Sequence, residues 1–407
     1  IPYPVLGMGL ILVGWIFSIC LRPVRLREVL LPPGCQVLGL LCFLFVTWHL
    51  ASPLFSGVQS VLAGKQIIKI AGGLGLFWMT VLLFPRDPRF LERFWYIVLW
   101  SSVLLFGYLI YRSVSEGNAG FLSALNGIEG VRGKGGRNQI GWYLAIVVQF
   151  SFLAFLQKGR RLVVLVPLMV TSFSVVYTLS RTGWIVVIVG LLYLPLIMFT
   201  IDVRKAAKML TVIVVIIVLL AVGGTWVISQ YADVSLLTMR ALWFVSPEDV
   251  PELNSIATRW HRVSDALDGF LTSPLMGLGV MNHSYAVRGL THNDYAAILA
   301  ELGLIGEVLF LGILFNIGKL CLRRPKLAGR RSLPSWPSLA SRGAFWSLLI
   351  GSAFMDMYTM PHYWTFAGLF VVGREIEECQ LVGKGFRWEG LRPTTKGSTT
   401  PDSTVTS

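Results

Sequence analysis

Long apolar stretches alternate with short polar breaks along most of the chain. Apolar runs lie near 3–21, 35–52, 67–84, 94–114, 139–157, 162–179, 184–200, 209–228, 295–318, 343–360 and 362–378. Each is close to the roughly 20 residues that a helical membrane span requires. Backbone inside lipid must satisfy its own hydrogen bonds, so runs of this length predict helices. Strands of a membrane barrel would instead alternate over roughly ten residues, and these runs do not alternate. The pattern predicts an all-α fold, a polytopic transmembrane helical bundle with eleven spans in this chain.

The runs divide the sequence into four parts. Residues 1–228 are expected to form N-terminal transmembrane helices, and 229–294 a large loop with short helices, outside by the charge distribution below and periplasmic by the resemblance that follows it. Residues 295–378 form C-terminal transmembrane helices, and 379–407 a cytoplasmic tail whose Thr/Ser/Pro-rich end is expected to be disordered. Composition agrees. Hydrophobic residues make up 55% and charged residues 14%, against about 25% charged in soluble domains. The five cysteines include no CxxC pair and sit in or beside apolar runs, so they read as packing residues.

A net charge of +14 invites a nucleic-acid reading, but its distribution removes it. Basic residues cluster in alternate breaks: Arg22, Arg25 and Arg27; Arg86, Arg89 and Arg93; Lys158, Arg160 and Arg161; Arg204, Lys205 and Lys208. The series continues with the group from Lys319 to Arg342, and with Arg374 and the basic residues of the tail. The positive-inside rule makes these breaks cytoplasmic. That orientation places Ile1 outside. With no initiator Met, it predicts a further helix before this chain and twelve spans with both ends inside.

Basic residues on the opposite side are then exceptional. Arg181 stands in Ser180-Arg181-Thr182-Gly183, between two apolar runs with almost no loop. A boundary Arg either snorkels to water or serves as an anion clamp, since its planar fork matches phosphate oxygens. Arg259-Trp260-His261-Arg262 opens a segment with Val263, Ala266, Leu267 and Phe270 at helical spacing. Arg259 and Arg262 share a helix face and can hold a diphosphate with Arg181, or pair with Asp265 or Asp268. Arg137 ends a basic, glycine-rich outer segment able to cradle an anion.

His292 precedes the span from 295, with Asn293 or Asp294 placed to cap that helix. A histidine there can take a proton from a hydroxyl nucleophile, or simply serve as an interfacial or capping residue. Glu301 lies about two turns into the span, where a carboxylate pairs with an outer Arg or orients His292. Gly303 and Gly306 permit close helix approach. Asp356, Tyr358 and His362 cluster in the short turn between the last two spans.

Taken in order, these motifs resemble the O-antigen ligase and polymerase superfamily of bacterial membrane glycosyltransferases. The block Arg259-Trp260, Pro274, Gly277-Leu278-Gly279, His292-Asn293, Glu301-Leu302-Gly303 and Gly306 carries most of the likeness. The Ser180–Gly183 turn, the segment ending in Asn138 and the long loop add to it. The resemblance implies transfer of a glycan from undecaprenyl diphosphate to an acceptor hydroxyl at the periplasmic face. The expected acceptor is lipid A–core, with joining of lipid-linked repeat units by a polymerase as the alternative. It implies Arg181 and Arg259 on the diphosphate and His292 as base, with Arg262, Glu301, Arg137 and Asn293 binding substrate. It also implies an inverting reaction with no cofactor and no metal. Thr291 stands where some such ligases carry a second histidine.

A transporter or flippase is the competing class. It would need midplane charges and repeated halves with broken helices, and the sequence shows neither. A purely structural scaffold would not need Arg181, Arg259 and His292 together.

Overall fold

The apolar runs fold as helices in the computed structural model, which describes residues 35–56, 60–84, 87–115, 136–158, 161–177, 180–199, 202–231, 254–287, 291–322 and 336–382. The expected span 3–21 and the tail beyond 382 lie outside the described residues. Twelve helices are described: α1 (Gln36–Ser56), α2 (Ser60–Leu83), α3 (Pro88–Ser115), α4 (Gly136–Lys158), α5 (Arg161–Tyr177), α6 (Arg181–Phe199), α7 (Val203–Tyr231), α8 (Asn254–Thr272), α9 (Asn282–Ala286), α10 (Asp294–Leu322), α11 (Trp336–Phe354) and α12 (Pro361–Val382). Among the described residues there is no strand. The protein is an all-α polytopic membrane protein. Six of these helices (α1, α2, α3, α4, α6 and α10) hold stretches long and apolar enough to cross a bilayer.

The helix starts follow from local chemistry. Asp87 precedes Pro88, and its Oδ1 accepts the Arg89 N–H at 2.9 Å. This is an acidic cap followed by a proline in the first turn. Ser180 Oγ accepts the Gly183 N–H at 3.1 Å and opens α6. Asp202 Oδ1 accepts the Lys205 N–H at 3.2 Å and opens α7.

Helix α4 is the hub of the bundle and packs against α3, α5, α6 and α11. Its residues from Trp142 to Ala154 are almost all buried. The centre is aromatic: Trp95 of α3 stacks on Phe150 of α4 with ring centroids 3.4 Å apart, and Phe366 and Phe370 of α12 extend the stack. Helix α2 lies on α12, and α1 on α10. Helices α4 and α6 meet through glycine: a Cβ on Gly183 would sit 3.1 Å from the Gly141 backbone.

Two expectations need correction. The span placed at 343–360 is shifted, because the helix runs from Trp336 to Phe354. Pro337 fits its first turn, and the chain from 355 to 360 is a turn before Pro361. Second, Arg342 and Arg374, assigned to a cytoplasmic loop and the tail, are buried inside the bundle. Arg342 Nη2 lies 2.9 Å and Arg374 Nη1 3.5 Å from Glu377 Oε2, and Ser338 Oγ donates to the same oxygen. A long side chain near a helix end resembles a loop charge until its partner on the facing helix is known.

Candidate active site

The site forms where the N-terminus of α10 meets the turn between α11 and α12. Asn293 Oδ1 accepts the Ala296 N–H at 3.0 Å and caps α10. Asp294 does something else. It is fully buried, and its two carboxylate oxygens accept the backbone N–H groups of Met357 at 2.7 Å and Tyr358 at 3.1 Å. One helix start thereby grips a turn 63 residues away in the chain. Buried backbone donors need such partners, so the turn is fixed in place.

His292 is held in the same way from the other direction. Its φ is 58°, a left-handed conformation that non-glycine residues adopt under outside constraint. Asp356 supplies that constraint. Asp356 Oδ1 accepts the His292 backbone N–H at 3.1 Å, and Asp356 Oδ2 lies 3.2 Å from His292 Nδ1. A neutral imidazole that donates from Nδ1 leaves Nε2 as the basic nitrogen. Both side chains keep some exposure, 20% and 11%, so the pair faces an opening rather than the sealed core.

Helix α8 brings arginine to this pair. Arg259 and Arg262 share its packed face, and both are half-buried. Burial lowers the Arg259 guanidinium pKa. The negative charge of Asp356 opposes that shift and the nearby Arg262 charge adds to it. Arg259 thus sits within electrostatic reach of both Asp356 and Arg262.

Arg181 is the first residue of α6 and Arg137 the second of α4; their side chains lie outside what the structure describes. Their backbones are neighbours, because Ser180 Oγ donates to Asn138 Oδ1 at 3.0 Å. Both helix starts are at the His292 end of the bundle. Trp142, one turn into α4, donates to the Ser347 carbonyl at 3.3 Å and lies 5.7 Å from the His362 ring, just past the turn that carries Asp356.

Glu301 departs from expectation. It is buried, and its Oε1 accepts Ser284 Oγ at 2.9 Å and the Ser284 N–H at 3.4 Å. It anchors α9, and the carboxylate beside His292 is that of Asp356, whereas the sequence left Glu301 either to pair with an outer Arg or to orient His292. Gly303 also differs. Its φ of 66° and ψ of −166° break α10, and the segment 274–279 completes the interrupted ladder. Leu278 N donates to Ala300 O and Gly279 N to Glu301 O, each at 2.8 Å, and Leu304 N donates to Pro274 O at 2.8 Å. Gly303 therefore admits a loop, not a neighbouring helix. Asp356 stands out in the sequence within the Asp356, Tyr358 and His362 cluster, as a residue that lines the same cavity or caps a helix, but its partner His292 lies 64 residues away.

Residues 166–311 match the family model described as O-Antigen ligase. The matched stretch runs from α5 into α10 and contains Arg181, Arg259, Arg262, His292 and Glu301; Arg137 and Asp356 lie outside it. No curated protein matches the chain. The likeness to the O-antigen ligase family is therefore shown over that stretch, and it points to glycan transfer in polysaccharide synthesis by a multi-pass membrane protein.

Proposed function

We propose, with the O-antigen ligase match over residues 166–311 as premise, that the chain moves a glycan from undecaprenyl diphosphate to an acceptor hydroxyl at the periplasmic face of the inner membrane. The acceptor in this reading is a lipid A–core sugar. The observation that carries it is the His292–Asp356 pair beside the half-buried Arg259.

The chemistry follows from those groups. His292 Nε2 takes the proton of the acceptor hydroxyl as its oxygen attacks the anomeric carbon. The bond from that carbon to the diphosphate oxygen breaks, and the diphosphate leaves with the electron pair. Attack from the face opposite the leaving group inverts the anomeric centre. Arg259 and Arg181 stabilise the charge that develops on the diphosphate, and Arg262 and Arg137 add to the positive field. Asp356 keeps the imidazole in the productive tautomer and stabilises the imidazolium that forms. Glu301 and Asn293 act through the fold, by anchoring α9 and capping α10. The reaction as written needs neither metal nor nucleotide.

Deleting the gene in its source organism and resolving the envelope polysaccharide on a gel tests the reading. Bare lipid A–core with long polymer stranded on undecaprenyl diphosphate is the expected result. Core carrying a single repeat unit would make the protein a polymerase. An unchanged profile would remove lipopolysaccharide from the reading.

A further inference from the structure

Helix α8 carries a face that the bundle does not cover. At about 100° per residue, its positions fall into three sectors. One sector packs on the protein: Val263 and Ala266 meet Ala296 and Ala300 of α10, with Arg259 and Arg262 half-buried beside them. A second sector is polar and exposed, with His261, Asp265, Asp268 and Thr272. The third is apolar and exposed: Trp260 (73% exposed), Leu267 (46%) and Leu271 (71%). At that spacing the packed positions cover about 100° of the circumference, the polar ones about 60° and the apolar ones about 40°. A helix meeting only protein and water has no use for the third.

The apolar sector does not end with the helix. Leu275, just beyond it, is also exposed and runs beside the break in α10, where Leu304 N donates to Pro274 O. There the stripe joins a second exposed row, Leu304, Val308, Leu311 and Phe315, on α10 itself. That row has helical i, i+4, i+7 spacing and belongs to a membrane-capable helix, so it faces acyl chains. Helix α10 breaks at Gly303, and the residues from Leu304 to Leu322 after the break rise about 28 Å, close to a hydrocarbon core of about 30 Å. The part before the break, which carries the buried acids Asp294 and Glu301, is therefore extra length at the His292 end. Helix α8 packs against that excess, at the depth where hydrocarbon gives way to headgroups.

We propose that α8 is an interfacial helix seated in the lipid leaflet at the His292 end. Trp260, Leu267 and Leu271 lie among acyl chains and headgroup carbonyls, Asp265 and Asp268 face water, and the sector of Val263 and Ala266 faces the bundle. Amphipathic helices with Trp and Leu on one face bind the membrane boundary in this manner. The arrangement holds Arg259 and Arg262 at headgroup height. A phosphate carried by a membrane lipid occupies that height, so no lipid need be lifted from the bilayer to reach them. The seating does not depend on the transfer reaction.

The test uses the full chain in phosphatidylcholine vesicles, with Cys20 and Cys379 changed to serine; Cys35, Cys42 and Cys321 are buried. An environment-sensitive fluorophore is attached to Leu267→Cys or Leu271→Cys, and in parallel to Asp265→Cys or Asp268→Cys. Phosphatidylcholine spin-labelled at carbon 5 should quench the Leu267 and Leu271 sites several-fold more than the Asp265 and Asp268 sites. Aqueous iodide should show the reverse order. Equal quenching by iodide at all four sites overturns the proposal. Protection of the Leu267 and Leu271 sites from both quenchers also overturns it, by assigning the face to protein, either the segment 232–253 or a second copy. No turnover is measured, so a failure here is distinct from a failure of the transfer reading.

Discussion

Asp356 holds His292 twice, by the backbone N–H at 3.1 Å and by the ring Nδ1 at 3.2 Å. One side chain sets both the main-chain conformation and the ring of the proposed base. Asp356→Asn keeps an acceptor for the backbone N–H but removes the charge facing the imidazole. Losing a charge-assisted hydrogen bond is worth about 1.5–3 kcal/mol, so the transfer rate should fall roughly 10- to 100-fold while abundance stays normal. His292→Ala should lose more, on the order of 10²–10⁴-fold, the usual share of a general base. Purified variants assayed on a lipid-linked glycan and its acceptor check the order. An active His292→Ala enzyme would remove the base assignment.

The arginines differ in what a lysine can replace. Arg181→Lys and Arg259→Lys retain charge but lose the planar fork. Transfer should fall by at least about tenfold in each, as expected for one lost charge-assisted bond. Arg262→Lys should fall less. Donor titration at fixed acceptor separates these effects. Full activity of both Arg181→Lys and Arg259→Lys would sink the diphosphate clamp.

Gly277 and Gly303 hold the loop 274–279 in the break of α10, with φ of 74° and 66°. A Cβ on Gly303 would fall on the Leu275 carbonyl, and one on Gly277 on the Glu301 carbonyl. Neither neighbour is a flexible side-chain end that can move aside. Gly303→Ala or Gly277→Ala should cost roughly 2–6 kcal/mol from backbone strain and overpacking combined. Thermal unfolding in detergent should show a lower midpoint for both, whereas Gly64→Ala, with open space around it, should not.

Glu377 stands between Arg342 and Arg374 in the bundle interior. Removing one partner from a buried ionic cluster costs about 3–5 kcal/mol, because the remaining charge stays desolvated. Glu377→Ala should therefore lower abundance and the unfolding midpoint. Arg342→Met with Glu377→Leu should recover part of the loss, since matched apolar replacement removes both charges together.

His283 is buried against α8. Burial lowers its pKa from 6.5, with the Asp265 charge and a hydrogen bond to the Arg262 backbone opposing the shift. A folded-state pKa below the unfolded value favours the neutral ring in the folded protein. Its contribution to stability is therefore full at pH 8 and lost as pH falls below about 6.5. His283→Gln, which cannot ionise, should melt with a shallower decline between pH 7.5 and 5.5 than the parent. Parallel slopes would show that His283 does not titrate against the fold.

The sequence revealed what depends on near neighbours. Apolar runs predicted the helices, and the cap of α10 was narrowed to Asn293 or Asp294 because capping acts within one turn. The block from Arg259 to Gly306 was legible because its motifs lie on one continuous stretch. Long-range pairings were not legible. Nothing around Asp356 says that it reaches His292, and nothing around Arg342 says that it faces Glu377. Gly303 looked like a helix-packing glycine, because its left-handed φ becomes visible only once the loop at 274–279 is seen inserted beside it. The end of α11 was misplaced because the turn 355–360 carries methionines and tyrosine that read as apolar.

The clasp between the start of α10 and the turn ahead of α12 has a consequence for biosynthesis. His292 leaves the ribosome 64 residues before the carboxylate that fixes it. At about 5–20 residues per second, a nascent chain carries an unclasped histidine for roughly 3–13 seconds. The His292–Asp356 pair is completed only when the hairpin of α11 and α12 has been integrated. A chain truncated before that hairpin, or one that inserts it in the wrong orientation, would hold both arginines and the histidine yet present no assembled site. Under the proposed reading, such a copy would carry the base without the carboxylate that fixes it, and only copies that had gained α11 and α12 would be competent.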